Sequence, residues 1–287
     1  MIATSQKHWS GDVADLLRVG EGFVLADVDP RSTPGYERDK HAAAEDLKSG
    51  AEQLDEYQER LFAQSRVDAT DASVLLVLQA MDSAGKGGII RHVVGSTDPQ
   101  GIALAAFKKP TPEELEHDFL WRVEKRLPEP GLIGVFDRSH YEDVLIGRVR
   151  SLAPAEEIER RYGAINEFEK RVADAGTRIV KVMLHISPDE QKERLMERLD
   201  RPDKHWKYNP GDVDERQLWP SYMAAYQTVF ERTSTEVAPW YVVPADRKWY
   251  ARLAVQHLLL EALEFVDPHW PSATFDVEAE KARLAAS

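Results

Sequence analysis

The sequence of 287 residues contains no cysteine. It therefore forms neither disulfide bonds nor thiolate metal sites, and nothing in its redox chemistry points to secretion. No apolar run is long enough to span a bilayer, and residues 1–10 lack the apolar region of a signal peptide. We therefore expect a cytoplasmic protein with no membrane partner.

Basic residues are fewer than acidic ones, and the formal net charge is -13. Such a surplus repels polyanions over long range and at first argues against a polyanion substrate. We expect no nucleic-acid partner. A local cluster of cations can still act independently, because the Debye length at physiological salt is about 8 Å. The sequence predicts a basic channel on an acidic body, formed by the lid cations described below together with Lys108, Lys109, Arg122, Lys125 and Arg126.

A glycine-rich loop at residues 80–88 follows an apolar run that predicts a buried strand. Glycines allow such a loop to aim its N–H groups inward at a phosphate, and Lys86 adds a positive charge. The common pattern G-x-x-x-x-G-K-[ST] is broken by Ala80 at its first glycine and by Gly87 at its metal-binding hydroxyl. Asp82 could replace that hydroxyl as a ligand of Mg²⁺. The alternative is a glycine-rich turn with a solvated lysine.

A second apolar run, residues 132–136, ends directly on Asp137 and Arg138. The carboxyl ends of parallel strands open into the ligand crevice of a sheet. Asp137 could therefore bind the same cation as Asp82, while Arg138 faces phosphate oxygens. The alternative role for Asp137 is that of a helix N-cap.

A cationic segment at residues 194–211 begins as a helix, breaks at Pro202 and continues into a loop rich in lysine and aromatic residues. In kinases of small phosphorylated substrates, such a segment is a lid that stabilises the transferred group and excludes water. We expect the lid at about residues 198–216. The alternative is a solvated loop of alternating charges, as Asp200 and Asp203 indicate.

The order and spacing of these segments resemble the polyphosphate kinase 2 family, from about residue 35 to about residue 265. The loop at residues 82–88 and the segment at residues 137–141 are similar to family motifs, so that both departures from the common loop are features of the family. Three further segments are similar to the family as well: residues 107–111, 117–122 and 201–207.

Residues 139–143, together with Ala80, resemble the class III subgroup, which phosphorylates both nucleoside monophosphates and diphosphates. Other subgroups tend to have Trp at the position of His140 and Asn at the position of Glu142. We hypothesise that Glu142 holds a metal or an ordered water when the acceptor is the shorter AMP.

The resemblance implies reversible phosphoryl transfer between inorganic polyphosphate and AMP or ADP, with ATP among the nucleotides. It also implies Mg²⁺, with Mn²⁺ as an alternative, no covalent enzyme intermediate, and a homodimer or homotetramer. An ATP-dependent nucleoside monophosphate kinase remains an alternative, although Gly87 argues against it. A nucleotide-binding switch is a further alternative, but the sequence has no Asn-Lys-x-Asp segment.

The expected site residues fall into three groups. The catalytic residues are Asp82, Lys86, Asp137, Arg138 and Arg198, of which Asp82 and Asp137 are the metal ligands. The nucleotide or its phosphates are expected to contact Ser83, Ala84, Gly85, Gly87, Gly88, Glu142, Arg201 and Lys204. Polyphosphate is expected to contact Lys86, Arg91, Lys108, Lys109, Arg122, Arg126 and Lys207.

The coarse pattern is that of an α/β fold, because apolar strands alternate with helices. The predicted strands are residues 73–79, 102–107, 132–136, 178–186 and 239–243. With the resemblance, this pattern implies a parallel sheet flanked by helices, of the P-loop kinase type similar to thymidylate kinase, with a helical lid. The predicted divisions are a partly helical N-terminal extension at residues 1–70, a catalytic domain at 71–268 and a tail at 269–287.

Overall fold

A five-stranded parallel sheet forms the centre of the computed structural model, which describes residues 8–287. Its strands are β1 (Ser73–Ala80), β2 (Ile102–Ala106), β3 (Ile133–Asp137), β4 (Thr177–His185) and β5 (Trp240–Pro244). Their order in the sheet is β2-β3-β1-β4-β5, and every pair is parallel. The predicted parallel α/β fold and its five strands are confirmed.

Helices cover both faces of this sheet. In chain order the helices of residues 8–287 are α1 (Val13–Leu17), α2 (Lys40–Ser65), α3 (Lys86–His92), α4 (Pro112–Leu115), α5 (Trp121–Glu124), α6 (Ile146–Val149), α7 (Ala155–Asp174), α8 (Pro188–Asp200), α9 (Gly211–Gln217), α10 (Trp219–Thr233), α11 (Lys248–Val266) and α12 (Val277–Ala285). In the described part of the chain, no helix is both long and apolar enough to cross a membrane.

Alternate residues of β1 belong to two separate cores, as expected for a strand covered on both faces. Leu76 and Leu78 pack with α2, α3 and α11 on one face. Leu75 and Val77 pack with α7 and α10 on the other face. Burial of both side-chain sets explains why β1 has a continuous apolar sequence instead of an alternating one.

The residues before β1 share the core of the sheet. Leu54 and Leu61 of α2 are fully buried in the same apolar cluster as the strands. The chain before α2 is also tied down, because Tyr250 Oη donates to Pro34 O at 2.8 Å. The predicted extension is therefore packed against the sheet and its helices where the structure describes it. The prediction that residues 1–10 form no signal peptide falls mostly on residues 1–7, which lie outside the described residues. In the tail, α12 buries none of its residues.

Candidate active site

The loop between β1 and α3 has the backbone geometry of an anion-binding loop. Ser83 and Gly85 have φ angles of 66° and 121°, so a side chain at Gly85 would be strained. The positive φ of Ser83 is a local strain of the kind that clusters at functional sites. Within residues 8–287, the amide N–H groups of Gly85, Lys86 and Gly87 donate no hydrogen bond. These N–H groups are thus available to a ligand.

Lys86 lies at the border of a cavity of about 620 Å³ that the loop shares with β3, α8 and α11. Its Nζ donates to Ala80 O at 3.3 Å. Burial lowers the pKa of Lys86, and the charge of Arg138 lowers it further, while the carboxylate of Asp137 acts in the opposite direction. An anion bound in this cavity would raise the pKa of Lys86 and stabilise its charged form.

The end of β3 brings Arg138 against the loop. Arg138 has a φ of 64°, and its Nη2 donates to Asp82 Oδ1 at 2.9 Å. Burial lowers the pKa of Arg138, but the carboxylates of Glu142 and Asp82 outweigh burial, so that the pKa is raised. The Arg138 guanidinium therefore remains charged at the carboxyl ends of β1 and β3.

Asp82 and Asp137 line the same cavity, as the sequence predicts for two metal ligands. Asp137 Oδ1 is buried and has no hydrogen-bond partner in the described residues. Such an oxygen is costly unless a cation or a donor satisfies it. In the described residues no group of three or more acidic, histidine or cysteine side chains could hold a metal. The two carboxylates nevertheless fit a cation such as Mg²⁺, which takes its remaining ligands from phosphate and water.

A second cavity of about 240 Å³ adjoins the first and shares Asp82 and Arg138 with it. Glu142 lies in this second cavity, where burial raises the pKa of its carboxyl against the opposing charge of Arg138. Gln79 orients Glu142, because its Nε2 donates to Glu142 Oε1 at 2.9 Å while its Oε1 accepts from Ser139 Oγ at 3.1 Å. The remaining wall is partly aromatic, with Tyr222 and Tyr226 of α10, and partly acidic, with Asp212 and Glu215. It is completed by Ala80, Met81, Leu145, Ile146, Asn209 and Gly211.

The predicted lid comprises the end of α8, a short 3-10 helix at Pro202–Lys207 and α9. Arg198, Lys204 and Lys207 line the first cavity. Arg201 does not line it, because this exposed side chain forms ion pairs with Glu197 and Asp203.

Most predicted site residues meet at the first cavity. Its lining includes Asp82, Ser83, Ala84, Gly85, Lys86, Gly87, Gly88, Arg91, Lys108, Asp137, Arg138, Arg198, Lys204 and Lys207. In the described structure, Lys109, Arg126 and Arg201 do not contribute to this lining.

Arg122 does not lie in the basic channel that the sequence predicts. It is only 8% exposed, and its Nη1 donates to Lys108 O at 2.8 Å. Glu114 and Asp143 lie at 3.6 and 3.7 Å from its guanidinium. Two partly buried carboxylates and the carbonyl of Lys108 thus hold Arg122 inside the protein, where it supports Lys108 instead of facing a ligand.

The remaining cations of that prediction are divided between different surfaces. Lys125 Nζ lies 3.3 Å from the centre of the Trp121 ring, away from the lining of the first cavity. Lys108 reaches the first cavity, so the channel consists of Lys108 with cations from α3, α8, α11 and the lid.

Three cations of the cavity were not predicted: Arg194 of α8 and Lys248 and Arg252 of α11. Arg194 precedes Arg198 by four residues, and this helical spacing is a signal that places both on one face. Burial lowers the pKa of Arg252, and within residues 8–287 no carboxylate pairs with it. A basic side chain without a counter-ion beside a phosphate-type loop is suited to bind an anion.

The chain is similar to known proteins over most of its length. The sequence profile of the polyphosphate kinase 2 family matches residues 44–270. The AMP/ADP-polyphosphate phosphotransferase of Meiothermus ruber is 46% identical over 249 residues, which are 87% of this chain and 91% of that protein. The ADP-polyphosphate phosphotransferase of Rhodopseudomonas palustris is 43% identical over 272 residues, which are 90% of this chain and 92% of that protein.

A solved structure supports the same relationship. The crystal structure of polyphosphate kinase 2 from Arthrobacter aurescens TC1 superposes with a TM-score of 0.95 and 58% identity, and the match covers 97% of this chain and 98% of that one. A family match over residues 44–270, close relatives and a shared fold agree with the motifs of the sequence, and the chain therefore belongs to the polyphosphate kinase 2 family.

Proposed function

We propose that this protein transfers a phosphoryl group reversibly between inorganic polyphosphate and the nucleotides AMP and ADP. The observation that carries the proposal is the pair of adjoining cavities that share Asp82 and Arg138. A donor in one cavity and an acceptor in the other would meet at these two side chains. The names of the relatives from Meiothermus ruber and Rhodopseudomonas palustris support the same pair of substrates.

The larger cavity is suited to the polyphosphate donor. Its lining contains ten lysines and arginines from separate elements: Lys86, Arg91, Lys108, Arg138, Arg194, Arg198, Lys204, Lys207, Lys248 and Arg252. A linear polyanion needs repeated positive charges along its path, and a cleft in which basic side chains outnumber the carboxylates of Asp82, Asp137 and Glu197 concentrates such a ligand. This local charge offsets the net charge of -13 of the whole chain.

The smaller cavity is suited to the acceptor nucleotide. Tyr222 and Tyr226 provide apolar ring surface, and Asn209 provides an amide that can hydrogen-bond. Arg138 and Glu142 lie at the side that adjoins the donor cavity. This arrangement would direct the acceptor phosphate toward the donor and leave the base among the aromatic residues.

The chemistry follows from positioning and charge. The loop amides, which the sequence assigns to the nucleotide or its phosphates, line the larger cavity and would, with Lys86, bind the donor phosphates instead. Arg138 and Arg198 would stabilise charge on the transferred group, and the lid would exclude water. Arginine contacts of this kind are worth ~10³ to 10⁵ in rate. A divalent cation held by Asp82 and Asp137, which we propose to be Mg²⁺ with Mn²⁺ as an alternative, would neutralise phosphate charge.

Acceptance of AMP as well as ADP is the class III property that the sequence predicts. We attribute it to Glu142, whose carboxylate lies beside Arg138 in the acceptor cavity. The shorter AMP leaves room for a metal or an ordered water. The carboxylate of Glu142 can hold either one, whereas the amide of an Asn at this position would hold it less strongly. The cytoplasmic location and the homodimer or homotetramer remain predictions.

The experiment is an assay of purified protein with Mg²⁺ and long-chain polyphosphate, started separately from AMP and from ADP. Chromatography would follow AMP, ADP and ATP. We expect ATP from both starts, loss of both reactions in Lys86→Met, and full activity in Lys170→Gln, which removes an exposed lysine on α7. Product that forms only when ATP replaces polyphosphate as donor would contradict the proposal and favour a monophosphate kinase.

A further inference from the structure

Two side chains of helix α8 donate hydrogen bonds to main-chain carbonyl groups of the phosphate-binding loop. Gln191 Nε2 donates to Asp82 O at 2.9 Å. Arg194 Nη1 donates to Ser83 O at 3.1 Å and to Ala84 O at 2.7 Å. Three consecutive carbonyls of the loop are thus held by two side chains of a single helix.

This contact decides which way the loop amides point. In a planar trans peptide the carbonyl and the N–H of one unit point in opposite directions. Because the carbonyls of Asp82 and Ala84 are directed at α8, the N–H groups of Ser83 and Gly85 are directed away from it. Within residues 8–287, neither N–H group has an acceptor.

Both side chains are themselves fixed by other contacts. Arg194 is 5% exposed, and besides the loop it binds Ala245 O at 2.6 Å and Glu190 Oε1 at 2.7 Å. Gln191 is 2% exposed, and its Oε1 accepts from Arg216 Nη1 of α9 at 2.9 Å. The bond from Arg216 sets the orientation of the Gln191 amide, so that its Nε2 faces the loop.

We propose that Gln191 and Arg194 are positioning residues that keep the loop amides turned toward the donor phosphates before the donor binds. Neither side chain needs to touch the reacting atoms for this role. The inference rests on the proposed function, because it assigns the loop to the polyphosphate donor and the adjoining cavity to the acceptor. It predicts a defect that is selective for donor binding.

The test uses Gln191→Met, which keeps the size of the side chain and its lack of charge but removes the bond to Asp82 O. The KM for long-chain polyphosphate and the dissociation constant of tripolyphosphate, from calorimetry, should both rise at least tenfold, whereas the KM for AMP should stay within twofold. A loop whose amides are no longer pre-oriented has to be ordered by the donor, which weakens binding. Met196→Gln is the matched control, since it is a neutral change on the exposed face of the same helix and should leave all three values unchanged.

Arg194→Lys is the second variant, because it preserves the charge and removes the planar fork that reaches several carbonyls at once. It should show the same selective defect as Gln191→Met. A role in folding alone would reduce the amount of active enzyme, and hence the apparent kcat, without changing either KM. Unchanged donor affinity in both folded variants, or failure of both to fold, would overturn the inference.

The same measurements distinguish a failure of this inference from a failure of the proposed function. If the wild-type protein neither binds tripolyphosphate nor uses polyphosphate, the assignment of the donor is wrong. If the wild-type protein does both and the two variants match it, the positioning role alone is wrong.

Discussion

The Arg138 guanidinium donates to the Asp82 carboxylate at 2.9 Å and so links the end of β3 to the loop after β1. Both residues line the two cavities at once. Arg138 reaches this position from a backbone with a φ of 64°, a conformation that non-glycine residues seldom adopt. The link places one charged pair at the boundary across which a phosphoryl group would pass.

Asp82→Asn and Asp137→Asn should each nearly abolish turnover while leaving the fold intact. The amide oxygen of Asn can still accept the hydrogen bond from Arg138, so the loss at position 82 would report the missing negative charge. The measurement is kcat with polyphosphate at saturating divalent metal, together with the thermal unfolding midpoint. Normal activity in either variant would refute the proposed metal ligands.

Glu142→Asn should spare phosphorylation of ADP and weaken that of AMP by tenfold or more in kcat/KM. Asn is one methylene shorter than Glu and loses the bond that Gln79 donates to Glu142 Oε1 at 2.9 Å, so Glu142→Gln, which keeps the length and removes the charge, is the matched variant and should show the same selective loss. Parallel assays with the two acceptors measure the ratio. An equal loss on both acceptors would show that Glu142 does not distinguish them.

The acid limb of the pH profile should differ between the two acceptors in the wild-type protein. Burial raises the pKa of Glu142, so its carboxyl takes up a proton at a higher pH than an exposed glutamate does. If the carboxylate form is needed for AMP, the rate with AMP should fall at a higher pH than the rate with ADP as the solution is acidified. In Glu142→Asn the difference should disappear, and its persistence there would assign it to another group.

A buried ion pair between β4 and α7 should show strong coupling. Lys181 Nζ donates to Glu169 Oε2 at 2.5 Å and to Tyr141 Oη at 2.9 Å, and Lys181 is fully buried. Lys181→Met should destabilise the protein by about 3–5 kcal/mol, because it leaves a buried carboxylate without its cation. The double variant Lys181→Met/Glu169→Leu should recover a large part of that loss. Urea unfolding measures both, and additive losses would contradict the coupling.

Glu261 of α11 should make stability fall as the pH rises. Burial, with a smaller effect of the Asp12 charge, raises the pKa of Glu261 from 4.5 to about 7. The folded state then holds a proton that the unfolded state releases, and stability declines between about pH 4.5 and about pH 7. Since Glu261 is partly exposed, solvent screening reduces the effect to about 1 kcal/mol.

The corresponding variant is Glu261→Gln, which should be more stable than the wild type at pH 8 and equal to it at pH 4. Glu278→Gln, on the exposed α12, is the control and should have the stability of the wild type at both pH values. Denaturant unfolding at the two pH values gives the comparison. A constant difference between Glu261→Gln and the wild type would exclude titration of Glu261 as its cause.

Short sequence patterns are enough to predict the strands, the loop and the carboxylates at the strand ends. These features depend on local patterns: a continuous apolar run predicts a strand buried on both faces, and a polar residue directly after it lies at the crevice edge. Asp82, Lys86 and Asp137 accordingly line one cavity, as their positions along the chain indicate. The family motifs depend on the same short segments.

Which cations face the cavity depends on how the helices pack. Arg122 and Lys108 are both basic residues that the sequence assigns to polyphosphate, but the carboxylates of Glu114 and Asp143 hold Arg122 inside the protein. Arg252 reaches the cavity because α11 packs against the loop region from a distant part of the chain. The direction of a long charged side chain depends on which opposite charges surround it in space. That set of neighbours exists only once the helices are packed, so sequence patterns do not reveal it.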